Sequence, residues 1–205
     1  MGAMWQIVVG AALAALLTLS PAPAPDPSPP TSGTTSGTTS VHVNSAAKRF
    51  WVKDEHRYTS PWYAGSRRKM IGFGCTRAPY YSPDPRCIRN RGFHHGLDMA
   101  MPCGTRLFAG FRGRVVDPSS RGSLGSAYGA HALRIRNHDK DVDVVIGHVR
   151  RVYVDPGDRV RRGQLIARAS DAAAPDGCHL HFEVRPIHGG YESAVRPHDY
   201  LRLSR

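Results

Sequence analysis

The residues at 178–184 read Cys-His-Leu-His-Phe-Glu-Val, so polar and apolar side chains alternate over this segment. This period of two predicts a half-buried β-strand, in which His179, His181 and Glu183 share one face and the apolar residues pack on a core. Side chains two residues apart on a strand are about 6.5 Å apart. That spacing suits one histidine on a metal ion and the other beside it. An exposed strand with two unrelated histidines is the alternative.

A second segment, Gly-Phe-His-His-Gly-Leu-Asp-Met-Ala at 92–100, supplies further metal-binding residue types. Zinc takes a histidine and a carboxylate of this kind alongside another imidazole, and catalytic zinc sites leave the fourth position to water. If the segment is extended, His94 and Asp98 face one side and His95 faces the other. Gly96 argues against a helix here. The pattern therefore favours His94 over His95 as a ligand.

From residue 105 onward, short segments with period-two alternation are separated by turns, at 106–109, 113–116, 132–136, 142–147 and 164–168. This spacing favours an antiparallel all-β domain. The segment at 160–166 is similar to the hammerhead turn of barrel-sandwich hybrid folds. Lipoyl and biotinyl carriers share that turn but modify a lysine at a hairpin tip, and no lysine follows Lys140.

Together these segments resemble the lysostaphin-type (M23) zinc endopeptidases, which cut peptidoglycan peptides. The similarity runs from about residue 92 to residue 186, in the order of the family. It rests on five motifs, which are His-x-Gly-Leu-Asp at 94–98, Pro-Cys-Gly-Thr-Arg-Leu-Phe-Ala at 102–109, Gly-His-Val at 147–149, Pro-Gly-Asp-Arg-Val-Arg-Arg-Gly-Gln-Leu-Ile at 156–166 and His-Leu-His-Phe-Glu at 179–183. It implies an all-β fold with antiparallel sheets of the lysostaphin-like, barrel-sandwich hybrid type (duplicated hybrid motif).

The resemblance also implies a role for five residues. One zinc ion would be bound by His94, Asp98 and His181, with His148 and His179 beside the open position as base and oxyanion partners. The implied function is an exported zinc endopeptidase that hydrolyses stem or cross-bridge peptide bonds of bacterial peptidoglycan, with zinc-activated water as nucleophile.

Two other functions belong to related classes. A non-catalytic, LytM-like module would regulate another cell-wall hydrolase, but such relatives typically have a broken ligand set. A zinc carboxypeptidase acting on D-Ala termini has a longer His-to-Asp spacing. Glu183 is left outside the site, as outer support or as an exposed residue. Some family members place a tyrosine before the first histidine to support the oxyanion, and the sequence does not choose between Tyr80, Tyr81 and Tyr128 for that role.

The chain has 28 Lys and Arg against 16 Asp and Glu, a formal charge of +12. Such a balance suggests an anionic partner. Nucleic acid is disfavoured because the basic residues are scattered, no recognition motif is present and the chain is expected to be exported. The expected partners are peptidoglycan peptides and anionic wall polymers, bound by a monomer.

The domain prediction has four parts. Residues 1–20 hold a short apolar run typical of a signal peptide, or alternatively of a membrane anchor. Residues 21–45 are rich in Pro, Ser, Thr and Gly and predict a disordered linker. Residues 46–91 are expected to be an extension that packs on the peptidase domain, which is expected at 92–205. The protein is predicted to be secreted or located in the cell wall. The alternative is an anchor to the outer face of the cytoplasmic membrane.

Four cysteines in an exported chain predict two disulfides, with three connectivities open. We expect Cys75–Cys87, which would close a local loop, and Cys103–Cys178, which would tie the segment after Asp98 to the histidine strand. Cysteines stand at the latter two positions in related sequences. A zinc-thiolate site is the weaker alternative, since no Cys-x-x-Cys spacing occurs.

Overall fold

The structure is a computed structural model that describes residues 48–205. The predicted signal peptide or anchor at 1–20 and the predicted linker at 21–45 lie outside these residues. The described residues form thirteen strands, which are β1 (Arg57–Ser60), β2 (Tyr63–Ile71), β3 (Gly74–Thr76), β4 (Gly92–His94), β5 (Gly96–Ala100), β6 (Arg106–Phe108), β7 (Gly113–Val115), β8 (Leu133–Asn137), β9 (Val142–Gly147), β10 (Val149–Arg150), β11 (Arg159–Val160), β12 (Leu165–Ala169) and β13 (His179–Pro186).

Eleven of these strands make one curled sheet in which every pairing is antiparallel. The order is β10-β12-β6-β2-β5-β13-β9-β8-β7-β11, and β1 pairs with β2 beside this path. Strands β3 and β4 form a separate pair. Helical structure in the described residues is limited to α1 (His198–Leu201) and two 3-10 turns, Ser126–Tyr128 and Tyr191–Ser193. The predicted antiparallel all-β class is confirmed.

Strand β13 lies in the middle of the sheet, between β5 and β9. Its apolar residues Leu180, Phe182 and Val184 are fully buried in the main core, as the alternation predicts. The Phe182 ring meets the edge of the Trp62 indole, with ring centroids 4.9 Å apart. The polar face is also buried, so the prediction of a half-buried strand was wrong on this point. Segments from elsewhere in the chain cover the histidines, a feature that a local pattern cannot predict.

The segment before residue 92 is part of the sheet. Strand β2 lies between β6 and β5, inside the order rather than at its edge, and Trp62 just before it is buried in the main core. Strand β3 pairs with β4, so that Gly74 stands opposite His94. Residues from the predicted extension therefore contribute to the core and support the strand that carries His94.

Both predicted disulfides are present, Cys75–Cys87 and Cys103–Cys178. The second links the segment after β5 to the first residue before β13. Beside it, the Met101 amide donates to the Cys178 carbonyl at 3.1 Å.

In the part of the chain that the structure describes, no helix has the length and apolar character needed to cross a membrane.

The two disulfides should contribute unequally to stability. Cys103–Cys178 spans 75 residues and Cys75–Cys87 spans 12, for which chain entropy gives about 4 and about 3 kcal/mol respectively. Replacing Cys103 and Cys178 by alanine should therefore lower the free energy of unfolding more than the same change at Cys75 and Cys87. Denaturant unfolding of the two double variants measures this, and an equal or reversed loss would contradict it.

Candidate metal centre and active site

Strand register brings three of the predicted residues to one point. His181 on β13 stands directly opposite Asp98 on β5, and His94 ends β4, two residues before β5 begins. His181 Nδ1 lies 3.0 Å from Asp98 Oδ1 and 3.1 Å from His94 Nε2, and the last two atoms are 3.3 Å apart. All three side chains are buried. One donor atom from each residue thus forms a near-equilateral triangle.

In each imidazole, one ring nitrogen makes a hydrogen bond outside the triangle, so the other ring nitrogen faces the triangle. His94 Nδ1 lies 2.9 Å from the carbonyl oxygen of Gly72, and His181 Nε2 lies 3.1 Å from Glu183 Oε2. Both partners only accept hydrogen bonds, so these nitrogens carry a proton, and the other nitrogen of each ring faces inward and would present a lone pair to a metal ion. Two imidazole nitrogens and a carboxylate oxygen therefore converge, an arrangement that could hold a metal ion.

The donor set fits zinc. Ligand atoms about 2.0–2.1 Å from a tetrahedral zinc ion stand roughly 3.3–3.4 Å from one another, close to the separations of this triangle. Without a metal ion, a proton on His181 can supply part of the positive charge. Burial lowers the pKa of His181, but hydrogen bonds to Asp98 and Glu183 raise it to about 9. Burial likewise opposes the charge of Asp98, yet the imidazoles around it, His94 first, hold its pKa well below its usual range.

Gly96 makes room for His181. The two residues lie on adjacent strands, and a Cβ atom at position 96 would stand 2.6 Å from Cε1 of the His181 ring. That is closer than side-chain atoms approach in folded proteins, so only glycine allows the ring its observed place. In the sequence, Gly96 argued only against a helix, and the ring that packs against it could not be predicted.

His179 and His148 lie beside the triangle. Their ring centroids are 4.4 Å apart, and the centroid of His148 is 5.9 Å from that of His181. Each donates Nδ1–H to a carbonyl oxygen, His179 to Gly177 at 2.8 Å and His148 to Ala172 at 2.7 Å. Each ring therefore keeps a lone pair on Nε2. Among the described residues His179 Nε2 finds no hydrogen-bond partner, and Asp98 Oδ2 is 3.5 Å away.

The backbone of His148 is held in an uncommon conformation. Its φ angle is +53°, in the left-handed region that residues other than glycine seldom adopt. Hydrogen bonds on both sides fix it there, because its amide donates to the Tyr128 carbonyl at 2.8 Å and its carbonyl accepts from the Ser170 amide at 2.7 Å. Burial, with His179 and His181 nearby, lowers the pKa of His148 to about 3. The ring is therefore neutral at neutral pH.

Glu183, which the sequence analysis left outside the site, is fully buried and holds His181. Its Oε2 accepts from His181 Nε2 at 3.1 Å and from the Tyr128 hydroxyl at 2.8 Å, while its Oε1 accepts from Arg185 Nε. Burial raises the pKa of Glu183, but the hydrogen bonds from His181 and Arg185 outweigh it and the net shift is downward. The shared strand face of His181 and Glu183 was the available signal for this contact.

The three tyrosines that the sequence left open have different environments. Tyr128 and Tyr81 line the site, with ring centroids 5.3 Å from His181 and from His94 respectively. Tyr80 is 43% exposed and donates to Asp176 Oδ1 at 2.9 Å. His95 lies outside the triangle, where its Nε2 is 2.9 Å from Arg86 Nη2.

A cavity of about 380 Å³ opens over the triangle. Small residues, Ser123, Gly125, Ala127 and Gly190, form part of its wall. Its inner wall includes His94, His148 and His181, and Tyr191 is at its exposed rim. A substrate in this cavity would meet His94 and His181 of the triangle together with His148, whereas His179 is buried and is not part of the cavity wall. Such an arrangement is typical of a metallohydrolase.

The comparison with protein families identifies the class. The sequence model described as Peptidase family M23 matches residues 92–197, just over half of the chain. The chain therefore belongs to peptidase family M23. The family resemblance inferred from the sequence is confirmed.

Relatives and solved structures agree with this assignment. The peptidoglycan DD-endopeptidases ShyC and ShyB of Vibrio cholerae are 33% and 30% identical to this chain over 97 and 98 residues. These alignments cover 46% of this chain but only 21% and 22% of the relatives, so the chain matches about a fifth of their length.

Among solved structures, LytU superposes with a TM-score of 0.53 at 26% identity, covering 65% of this chain and 83% of LytU. The antimicrobial peptidase lysostaphin from Staphylococcus simulans gives a TM-score of 0.50 at 23% identity, covering 65% of this chain and 48% of lysostaphin. The predicted lysostaphin-like fold is confirmed.

The contact between Glu183 and His181 predicts that Glu183→Gln weakens metal binding. The amide lacks the negative charge that supports His181 and fixes its tautomer, and loss of such a partner usually lowers metal affinity by about 10–100-fold. Tyr128→Phe removes one hydrogen bond to Glu183 and keeps its charge, so its loss should be smaller. Metal titration of the folded variants measures both effects.

The exposed Glu55 offers the matched control, and Glu55→Gln should bind metal like the unmodified protein. Unchanged affinity in folded Glu183→Gln would contradict the positioning role.

Proposed function

We propose that this protein is an endopeptidase that uses one zinc ion to hydrolyse stem or cross-bridge peptide bonds of bacterial peptidoglycan. The observation that carries the proposal is the convergence of two imidazole nitrogens and a carboxylate oxygen, with the Nε2 atoms of two further histidines beside them. Membership of a peptidase family supports the reaction type. The relatives named as peptidoglycan DD-endopeptidases support the substrate class.

His94, Asp98 and His181 would hold the metal. Zinc bound there supplies a Lewis acid for the scissile carbonyl and lowers the pKa of a water molecule toward neutrality. Asp98 contributes one negative charge, and the two imidazoles contribute none. The ligand set thus leaves a net positive charge at the point where an oxyanion develops.

His148 and His179 would manage the proton and the oxyanion. Because both Nδ1 atoms donate to carbonyl groups, both Nε2 atoms are free to accept a proton from the attacking water or, once protonated, to donate to the oxyanion. The left-handed backbone of His148 and the carbonyl partners hold the two rings before substrate arrives. Preorganised groups of this kind act without further reorganisation during the reaction.

A peptidoglycan substrate requires action outside the cytoplasm. Two disulfides in the described residues support an oxidising compartment, and the apolar run in residues 1–20 supplies a signal peptide or an anchor in this proposal. The proposed enzyme is secreted or associated with the cell wall. If residues 1–20 act as an anchor, it is tethered to the membrane instead. The non-catalytic regulatory alternative is not favoured, because all five predicted site residues come together here.

Alanine substitutions should separate two classes of site residue. His94→Ala, Asp98→Ala or His181→Ala removes a ligand, so zinc content and hydrolysis of purified sacculi should fall together. His148→Ala or His179→Ala should keep zinc but slow hydrolysis by on the order of 10²-fold or more, the scale expected for losing a positioned base or oxyanion donor. Zinc content and the rate on sacculi are measured for each variant.

The exposed His198 provides the control, and His198→Ala should keep both zinc and activity. Two results would overturn the scheme: metal-free protein that digests sacculi as fast as the zinc form, or loss of zinc in His179→Ala with full zinc in His181→Ala.

A further inference from the structure

Five arginines surround a second, larger cleft at the β11 end of the sheet order. Strands β8, β7 and β11 are neighbours there, and Arg136, Arg114 and Arg159 stand directly opposite one another across them. Arg112 and Arg161 flank this row and line the same cleft of about 530 Å³. We call these five residues and the space between them the arginine cleft.

Without a bound anion, the row of Arg136, Arg114 and Arg159 is electrostatically unfavourable for the folded protein. Like charges directly opposite each other on antiparallel strands destabilise a sheet, and the strands are only about 4.7–4.9 Å apart. Two carboxylates offset part of the charge, since Asp143 pairs with Arg136 at 2.8 Å and Asp139 with Arg112 at 2.8 Å.

The charges of the remaining three arginines are not offset by a carboxylate. Within residues 48–205, Arg114, Arg159 and Arg161 form no ion pair, and all three are exposed. Arg114 donates only to the neutral carbonyl of Gly157 at 2.7 Å. A structure that tolerates this repulsion presents three unneutralised guanidinium groups to one cleft.

The lining of the cleft indicates the chemistry of a ligand. Guanidinium groups bind phosphate oxygens through paired hydrogen bonds, and a row across three strands extends for roughly 10 Å, long enough for consecutive anionic groups. The other lining residues are Gly113, Asn137, His138, Asp139 and Val160. None is Phe, Tyr or Trp, the residues on which nucleic-acid bases stack. The lining therefore suits a polymer recognised by charge alone.

We propose that the arginine cleft binds phosphodiester groups of an anionic cell-wall polymer. The choice of a wall polymer rests on the proposed function, since such polymers accompany the peptidoglycan substrate. The cleft shares no lining residue with the cavity over the metal triangle, so a polymer can occupy it while the substrate occupies the active site. Binding there retains the enzyme on the wall and raises its local concentration at the substrate.

The full chain is titrated with a poly(glycerol phosphate) polymer over a range of salt concentrations. In the triple variant Arg114→Gln, Arg159→Gln, Arg161→Gln, affinity should fall by about tenfold or more near 0.15 M salt. The slope of log affinity against log salt should also become shallower, because fewer counterions are released. Removing like charges should leave the melting temperature unchanged or raised, so lost binding does not reflect unfolding.

The matched control changes the net charge equally outside the cleft, by Arg77→Gln, Arg150→Gln and Arg196→Gln at three exposed positions. It should retain most of the affinity. Equal losses in the two triple variants would overturn the proposal by assigning binding to net charge. Single-stranded DNA of matched charge that binds as tightly through the same three arginines would overturn the choice of a wall polymer.

Failure of this inference can be told apart from failure of the proposed function, because polymer binding is read without turnover. The His181→Ala protein should bind polymer normally. An active enzyme that does not bind the polymer would overturn only the arginine cleft. A polymer-binding protein that does not hydrolyse sacculi would overturn only the proposed function.

Discussion

The pairing of β13 with β5 on one side and β9 on the other is the constraint on which the site depends. At one position along β13, His181 stands opposite both Asp98 and Gly147. The first pairing closes the metal triangle, and the second places His148, the next residue after Gly147, beside it. A slip of one residue would turn His181 toward the apolar face of the strand. The burial of Leu180 and Phe182 on that face opposes such a slip.

The cost of burying charge explains the groups around the triangle. Carboxylates are rarely buried unless they are paired, because removing a charge from water is strongly unfavourable. Glu183 is paired with the buried Arg185, and both contact Tyr128. Among the described residues, the charged side chain of Asp98 contacts the imidazoles of His94, His179 and His181. The metal ion of the proposed function would supply a counter-charge to Asp98, and its binding would then be coupled to the stability of this part of the fold.

Much of the site could be predicted because a strand records in its sequence which residues share a face. That parity grouped His179 with His181 and His94 with Asp98, and it separated His95. The family motifs then supplied His148 and the division of roles. The same parity placed Glu183 on the site face, but its burial depends on Arg185 and on Tyr128, which is 55 residues away in sequence.

The remaining features have no local signal. Strand β2 lies inside the sheet although its sequence, Tyr-Ala-Gly-Ser-Arg-Arg-Lys-Met-Ile, lacks the alternation of a buried strand. The left-handed backbone of His148 depends on hydrogen bonds with Tyr128 and Ser170. Both residues are far from His148 in the sequence. The arginine row was also missed. Its members are scattered in sequence, and only the register of three strands brings them together.

The proposed function requires that His94, Asp98 and His181 together bind one metal ion. X-ray absorption at the zinc edge, on protein purified with stoichiometric zinc, tests it most directly because it reports the ligand atoms themselves. We expect two imidazole ligands together with oxygen ligands at about 2.0–2.1 Å, and no sulfur at about 2.3 Å. Three or more imidazoles around the ion, or any sulfur ligand, would contradict it.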